Sequence, residues 1–165
     1  MATYNATKTA GKTSAKGFPA NSSRVLVLEN TIDLAKVPTT NPAQLLGADT
    51  YATLVAADVV KALDIPKDCI LLGCAMKVVE ARGSSAGETS PTVGVKRGST
   101  IAVTAVSLTT TSINPADGAD WLTTGAVNKT GVGVTADTTL DLYFGGTLPT
   151  APSGKVKVVA WVARI

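Results

Sequence analysis

Between Asp68 and Arg97 the chain alternates, breaks and alternates again, and that pattern leaves few folds open. Ile70, Leu72, Cys74, Met76 and Val78 recur at period two, which puts them on one face of an extended strand. Leu71, Gly73, Ala75, Lys77 and Val79 fall on the other face, which is smaller and carries charge. Ser84 to Pro91 is rich in Ser, Gly, Glu and Pro and reads as a turn-forming break. Thr92 to Arg97 then resumes with Val93 and Val95 on one side. The expectation is a β-hairpin with a long loop, set in a chain of strands.

The flanking segments agree. Residues 1–22 hold Thr, Ala, Lys, Gly, Asn and Ser with almost no large apolar group, so they read as an extended or disordered, flexible basic N-terminal arm outside a single domain of residues 23–165. Val25–Leu28 and Thr31–Leu34 make a first strand, broken by a bulge near Asn30. Val37–Thr50, with Pro38, Pro42 and Gly47, reads as loop. Tyr51–Ile65 fits a helix through Ala56, Val59, Val60 and Leu63, or a strand with Val59, Leu63 and Ile65 on one side; its β-branched content favours a strand from Asp58.

Downstream, Ile101, Val103 and Ala105 share a face, and Asp120–Val127 has room for a short strand carrying Trp121. Leu140, Leu142 and Phe144 oppose Asp141 and Tyr143. In the last strand Val156, Val158, Ala160 and Val162 point inward while Lys155, Lys157 and Trp161 point outward. Seven or eight strands separated by turn signals, with no clear helix, predict an all-β fold. Its form is a two-sheet antiparallel β-sandwich, jelly-roll-like because several loops are long.

Composition enters where it limits function. Hydrophobic residues are 45% of the 165 but aromatics only 4%, so Val, Ala, Leu and Ile must fill the core. Charged residues are 16%, below the usual quarter, which fits a surface covered partly by other subunits. The net charge of +3 is too small to argue for nucleic acid over the whole domain. Lys8, Lys12, Lys16 and Arg24 all precede the first acid, Glu29, and so form a basic arm that fits nucleic acid, an acidic protein surface or a solvated flexible tail. Met1–Ala20 lacks a signal-type apolar core and no run reaches the ~20 residues of a membrane span, so synthesis in a cytoplasm without export is expected.

Chemical motifs are thin. Gly11-Lys12-Thr13 resembles the end of a phosphate loop, but the required upstream glycine is Ala6 and no strand precedes it. Gly131-Val132-Gly133 lacks the third glycine and the helix of a dinucleotide site. The chain has no histidine, which removes the Ser-His-Asp and Cys-His arrangements and most zinc sites. Cys69 and Cys74, five apart in one strand, would sit about 16 Å apart, too far for a disulfide. Reduced thiols are expected.

Asp117 and Asp120 read as turn-forming loop carboxylates rather than calcium ligands. Asn5, Asn21 and Asn128 begin N-x-Ser/Thr triplets that fit chance in a Thr-rich chain. Asp137 and Asp141 share a face, yet no second acidic cluster converges on them as a hydrolase would need. Aromatics do not interleave with the basic residues, which argues against nucleic acid. No catalytic, cofactor-binding or metal-binding residue is expected, nor any cofactor or membrane partner. Trp121 and Trp161, on otherwise small faces, are candidates to seal a subunit interface or bind a sugar.

Four stretches carry a resemblance: DVVKALDIPKDCILLGCAMKVVEA, SPTVGVKRGSTIAVTAVSLTTT, ADWLTTGAV and TTLDLYFGGTLPTAPSGKVKVVAWV. Their order, over roughly Asp58–Ile165, resembles the jelly-roll head decoration or cement proteins of tailed bacteriophages. The pattern departs at Lys96-Arg97-Gly98, where an acidic Gly/Asp turn would be expected. The resemblance implies a virion protein on the capsid exterior, made in the bacterial host cytoplasm. It implies a homotrimer that bridges neighbouring major capsid protein subunits and stabilises the shell by binding only its intact form. On that reading the arm residues Lys8, Lys12, Lys16 and Arg24 lie along the shell. The alternative is a fibre or tail-associated jelly roll that binds host glycans through Trp121 or Tyr143.

Overall fold

The computed structural model describes residues 1, 3–7, 25–37, 39, 54–82, 91–109, 132–148 and 153–164. In chain order the strands are β1 (Thr3–Asn5), β2 (Leu26–Asp33), β3 (Val59–Ile65), β4 (Cys69–Glu80) and β5 (Thr92–Arg97). They continue as β6 (Thr100–Ser107), β7 (Val132–Val134), β8 (Thr138–Gly145) and β9 (Lys155–Arg164). One 3-10 turn at Leu34–Lys36 follows β2, and no α-helix occurs among the described residues.

The strand pairing is nested. β2 pairs antiparallel with β9, β3 with β8, β4 with β7 and β5 with β6. Two more antiparallel pairings, β4 with β9 and β5 with β8, roll this long double ribbon into two sheets. Their orders are β2-β9-β4-β7 and β1-β3-β8-β5-β6. That is the jelly-roll arrangement, extended by β1, which lies parallel on the free side of β3. The all-β sandwich expected from the alternation is the fold.

The core is aliphatic, as the scarcity of aromatics required. Val156, Val158, Ala160 and Val162 of β9 are fully buried and face Leu140, Leu142, Val93 and Val95 of the other sheet within one cluster. Burying a side chain of this size contributes roughly 1.5–3 kcal/mol before chain entropy is counted.

Several local expectations are corrected. β4 and β5 are not a hairpin: they lie in opposite sheets, because both sides of β4 are taken by β9 and β7. The hairpin is β5–β6, closed by Gly98-Ser99 with Gly98 at φ +58°, a conformation glycine adopts without strain. β2 carries no bulge and pairs with β9 residue for residue from Leu26 to Asp33. The irregularities lie in other strands. In β4, Leu71 pairs with Val162 and Gly73 with Trp161, so Leu72 is an extra residue. Each extra residue moves the residues after it to the opposite face. Hence Cys69, Leu71, Cys74 and Val78 are buried, whereas Leu72 and Val79 are exposed and Ile70 faces outward. The same happens at Ala62 in β3. In β6 the pairing with β5 slips twice, and Ile101 and Val106 are exposed while Ala102 and Val103 are buried.

The N-terminus also departs from expectation at its start. Thr3–Asn5 pairs with Val59–Lys61, and Ala6 N–H donates to Lys61 O at 2.9 Å. A polar segment that cannot fold alone is held because β3 offers an unpaired edge. Opposite it, Asn30 points inward, and its Nδ2 donates to Ala6 O and to Ala62 O, both at 2.8 Å. One amide thus ties β2 to the bulged residue of β3 across the sandwich.

Candidate interaction surface

The two outer faces differ, and the difference comes from register. On the five-stranded sheet Lys61, Asp141 and Lys96 lie side by side across β3, β8 and β5. Opposite charges directly across strands stabilise one another and hold water well. Next to this row Tyr143 lies over Gly94. A Cβ at residue 94 would sit 2.5 Å from the ring, so only glycine admits it, and the Tyr143 hydroxyl reaches toward Val103 O at 3.5 Å.

On the four-stranded sheet, rows across β2, β9 and β4 read Val27–Trp161–Gly73, then Glu29–Val159–Ala75, then Thr31–Lys157–Lys77. Ile70, Ala163 and Gly133 form a further row beyond the first. One half of this face is therefore apolar and the other charged. Trp161 is half-buried, its ring 3.6 Å from where a Cβ at Gly73 would lie, and Val27 is 57% exposed with Leu72 at 41%. On the charged half Lys157 Nζ meets Glu29 Oε2 and Lys155 Nζ meets Glu80 Oε2, each at 2.6 Å. The Glu80 contact raises the Lys155 pKa above its ordinary value.

Of the residues singled out in the sequence, Trp161 thus lies on the outer face of β9, flanked by Val27. Lys8, Lys12, Lys16, Arg24 and Trp121 lie outside the described residues, as do Gly11-Lys12-Thr13 and the loop acids Asp117 and Asp120. Sequence reading passed over Val27 as a surface group and put Leu72 on the same strand face as Cys74 and Val78, which are buried. The signal for Val27 was its odd parity against the inward Leu26 and Leu28; no signal marks a bulge.

The remaining candidates for chemistry are engaged in the fold. Asp137 accepts the Lys67 N–H at 3.0 Å, pinning the β3–β4 corner, and Asp141 accepts the Thr139 hydroxyl at 2.6 Å. At the same corner Asp68 has φ +59° and donates its N–H to Val134 O, and Cys69 donates its thiol to Pro66 O. Half-burial raises the Asp64 pKa against the lowering effect of a Thr7 hydrogen bond and nearby Lys61. Cys69 and Cys74 are both buried and unpaired, as expected; burial pushes the Cys74 thiol up to about 11 and raises that of Cys69, which Asp68 also raises. Val132 and Gly133 of the Gly131-Val132-Gly133 triplet lie in the edge strand β7. Among the described residues no group of three or more His, Cys, Asp or Glu could hold a metal ion, and no helix is long and apolar enough to cross a membrane.

The fold defines the class: an all-β jelly-roll sandwich with one half-apolar outer face and one that carries a Lys61–Asp141–Lys96 row. No protein-family model matches the chain, and no curated protein does. It is similar to a chain of the cyanophage Pam1 capsid asymmetric unit, at 16% identity and TM-score 0.47, over 94% of this chain and 99% of that one. It is also similar to a chain of the acid-stable capsid of the Helicobacter pylori bacteriophage KHP30, at 11% identity and TM-score 0.45, over 87% and 94%. Likenesses this remote fix neither a function nor a partner.

Proposed function

We propose that the chain is a structural virion protein that binds the outside of a tailed-phage icosahedral capsid and bridges major capsid protein subunits, as a homotrimer. The observation that carries the reading is the nested jelly-roll pairing of β3 to β9. It runs over the same stretch, Asp58 onward, whose strands and turns resemble decoration proteins. The half-apolar outer face around Trp161 supports it, because such a face serves a protein that spends its life against another. Stabilisation then needs no chemistry: a bridge that binds only the intact shell adds its binding free energy to the shell's stability. The basic residues Lys8, Lys12, Lys16 and Arg24 contact the shell, and Trp121 and Trp161 seal subunit contacts.

Light scattering behind a sizing column tests the assembly, with a mass three times the 16.7 kDa chain expected. Co-sedimentation with empty heads built from the major capsid protein of the same genome tests the partner. A chain that stays in the supernatant at micromolar concentration would sink the reading. A second reading, a fibre or tail-associated module for host glycans, is favoured by Tyr143 lying flat over Gly94 beside Asp141. Specific retention on a glycan array that is lost in Tyr143→Ala would support it.

A further inference from the structure

We propose that Thr3–Thr7 is a strap that opens on its own while the sandwich stays folded, and that Asn30 is its keeper. The inference goes beyond the shell-binding reading and does not depend on it.

Three observations carry it. First, the strap buries little. Tyr4 and Ala6 lean on the core but are only half-buried, and Thr3 is exposed. Thr7 is buried, yet its N–H and hydroxyl turn back on Asn5 Oδ1, inside the strap, at 3.0 and 2.9 Å. Second, the sandwich does not pass its own pairing through the strap. β1 pairs with β3 alone, at the rim of its sheet, while β3 is held on its other side by β8 from Val59 to Ile65.

Third, Asn30 divides its two donors. One goes to Ala62 O in β3 and the other to Ala6 O in the strap, both at 2.8 Å. The Ala62 bond ties β2 to β3 whether or not the strap is docked. Asn30 therefore keeps its place when the strap leaves, and the strap redocks onto a donor already aimed at it. What opening breaks is short: the three-residue ladder, Ala6 N–H to Lys61 O, Asn30 to Ala6 O, and the Thr7 hydrogen bond to Asp64. A segment with few buried apolar contacts sits at the low end of a protein's range of local stabilities. Opening leaves Val59–Lys61 as an unpaired edge with one Asn30 donor in water, the features by which an extended segment joins a sheet.

Native-state hydrogen exchange of the full chain, read amide by amide by NMR, tests this. The Ala6 amide reports the strap, and the Val158 amide in central β9 reports the sandwich. In the wild type Ala6 is expected to exchange at least about a hundredfold faster than Val158. Urea below the unfolding transition should speed Val158 steeply and Ala6 hardly at all, because opening the strap exposes little surface. Val95→Ala, which cuts a fully buried side chain in β5, should speed Val158 and leave Ala6 unchanged. Asn30→Ala should speed Ala6 at least about tenfold; Asn30→Leu, of similar size and without donors, serves in its place if the alanine variant does not fold. Equal rates for the two amides in the wild type, or an equal acceleration of both in Val95→Ala, overturn the proposal, since the strap then unfolds only with the sandwich. An unchanged Ala6 rate in the Asn30 variant overturns the role of Asn30.

Discussion

Asn30 is a buried amide where the alternation of β2 calls for an aliphatic side chain, and its partners explain why. The bulge at Ala62 and the end of β1 at Ala6 each bring a backbone carbonyl to the interior, and Asn30 donates to both. A buried acceptor stripped of its donor costs about 1–3 kcal/mol. Asn30→Ala should therefore destabilise the protein by about 2–4 kcal/mol, since two carbonyls are orphaned and a small void is left. Urea unfolding of the two proteins measures this. Asn30→Asp should be no better, because a carboxylate offers acceptors where donors are needed.

Elements in this molecule are shaped by where residues are added to strands. β8 and β9 are regular, and their inward residues, Leu140 to Phe144 and Val156 to Val162, are those the alternation picks out. β3, β4 and β6 each carry extra residues, and their faces change midway. Glycines opposite aromatics belong to the same scale. At Gly94 an added Cβ would overlap the Tyr143 ring, while at Gly73 it would sit in ordinary contact with Trp161. Gly94→Ala should cost about 1–3 kcal/mol by overpacking, whereas Gly73→Ala should change stability by less than about 0.5 kcal/mol. Thermal melts of the pair separate the two. Removing the ring as well, in Gly94→Ala with Tyr143→Ala, should recover part of the Gly94→Ala loss attributable to overlap, read from a double-mutant cycle.

The whole molecule is closed by its two ends. β9 lies between β2 and β4, so one sheet is assembled around the last strand, while Gly154 O accepts from Leu34 N–H to fix the entry into β9. Gly154 itself sits at φ +101°, and a Cβ there would come within 2.9 Å of Glu80 O. Nested pairing also means that most contacts join residues far apart in sequence, which slows folding. Ending the chain at Ser153 should abolish the cooperative transition altogether rather than lower its midpoint, because β2 loses its neighbour and half the core its lid. Calorimetry of the truncated chain decides this; a residual sharp transition would show that the other strands fold without β9.

Sequence by itself determined what local periodicity encodes: strands rather than helices, an aliphatic core, reduced cysteines and the inward faces of β8 and β9. It made Trp161 an outward residue for the same reason. Tertiary structure decided the rest. Whether β4 pairs with β5 depends on which neighbours compete for its edges, and β9 and β7 take both. Ile70 and Leu72 shared a face with Cys74 and Val78 because alternation assumes one residue per step, yet the bulge at Leu72 inserts a residue and moves those after it to the opposite face. The make-up of the four-stranded sheet's outer face was hidden for a related reason. Val27, Trp161, Leu72 and Lys77 come from three strands separated by up to 134 positions, and only the register across β2, β9 and β4 sets them side by side.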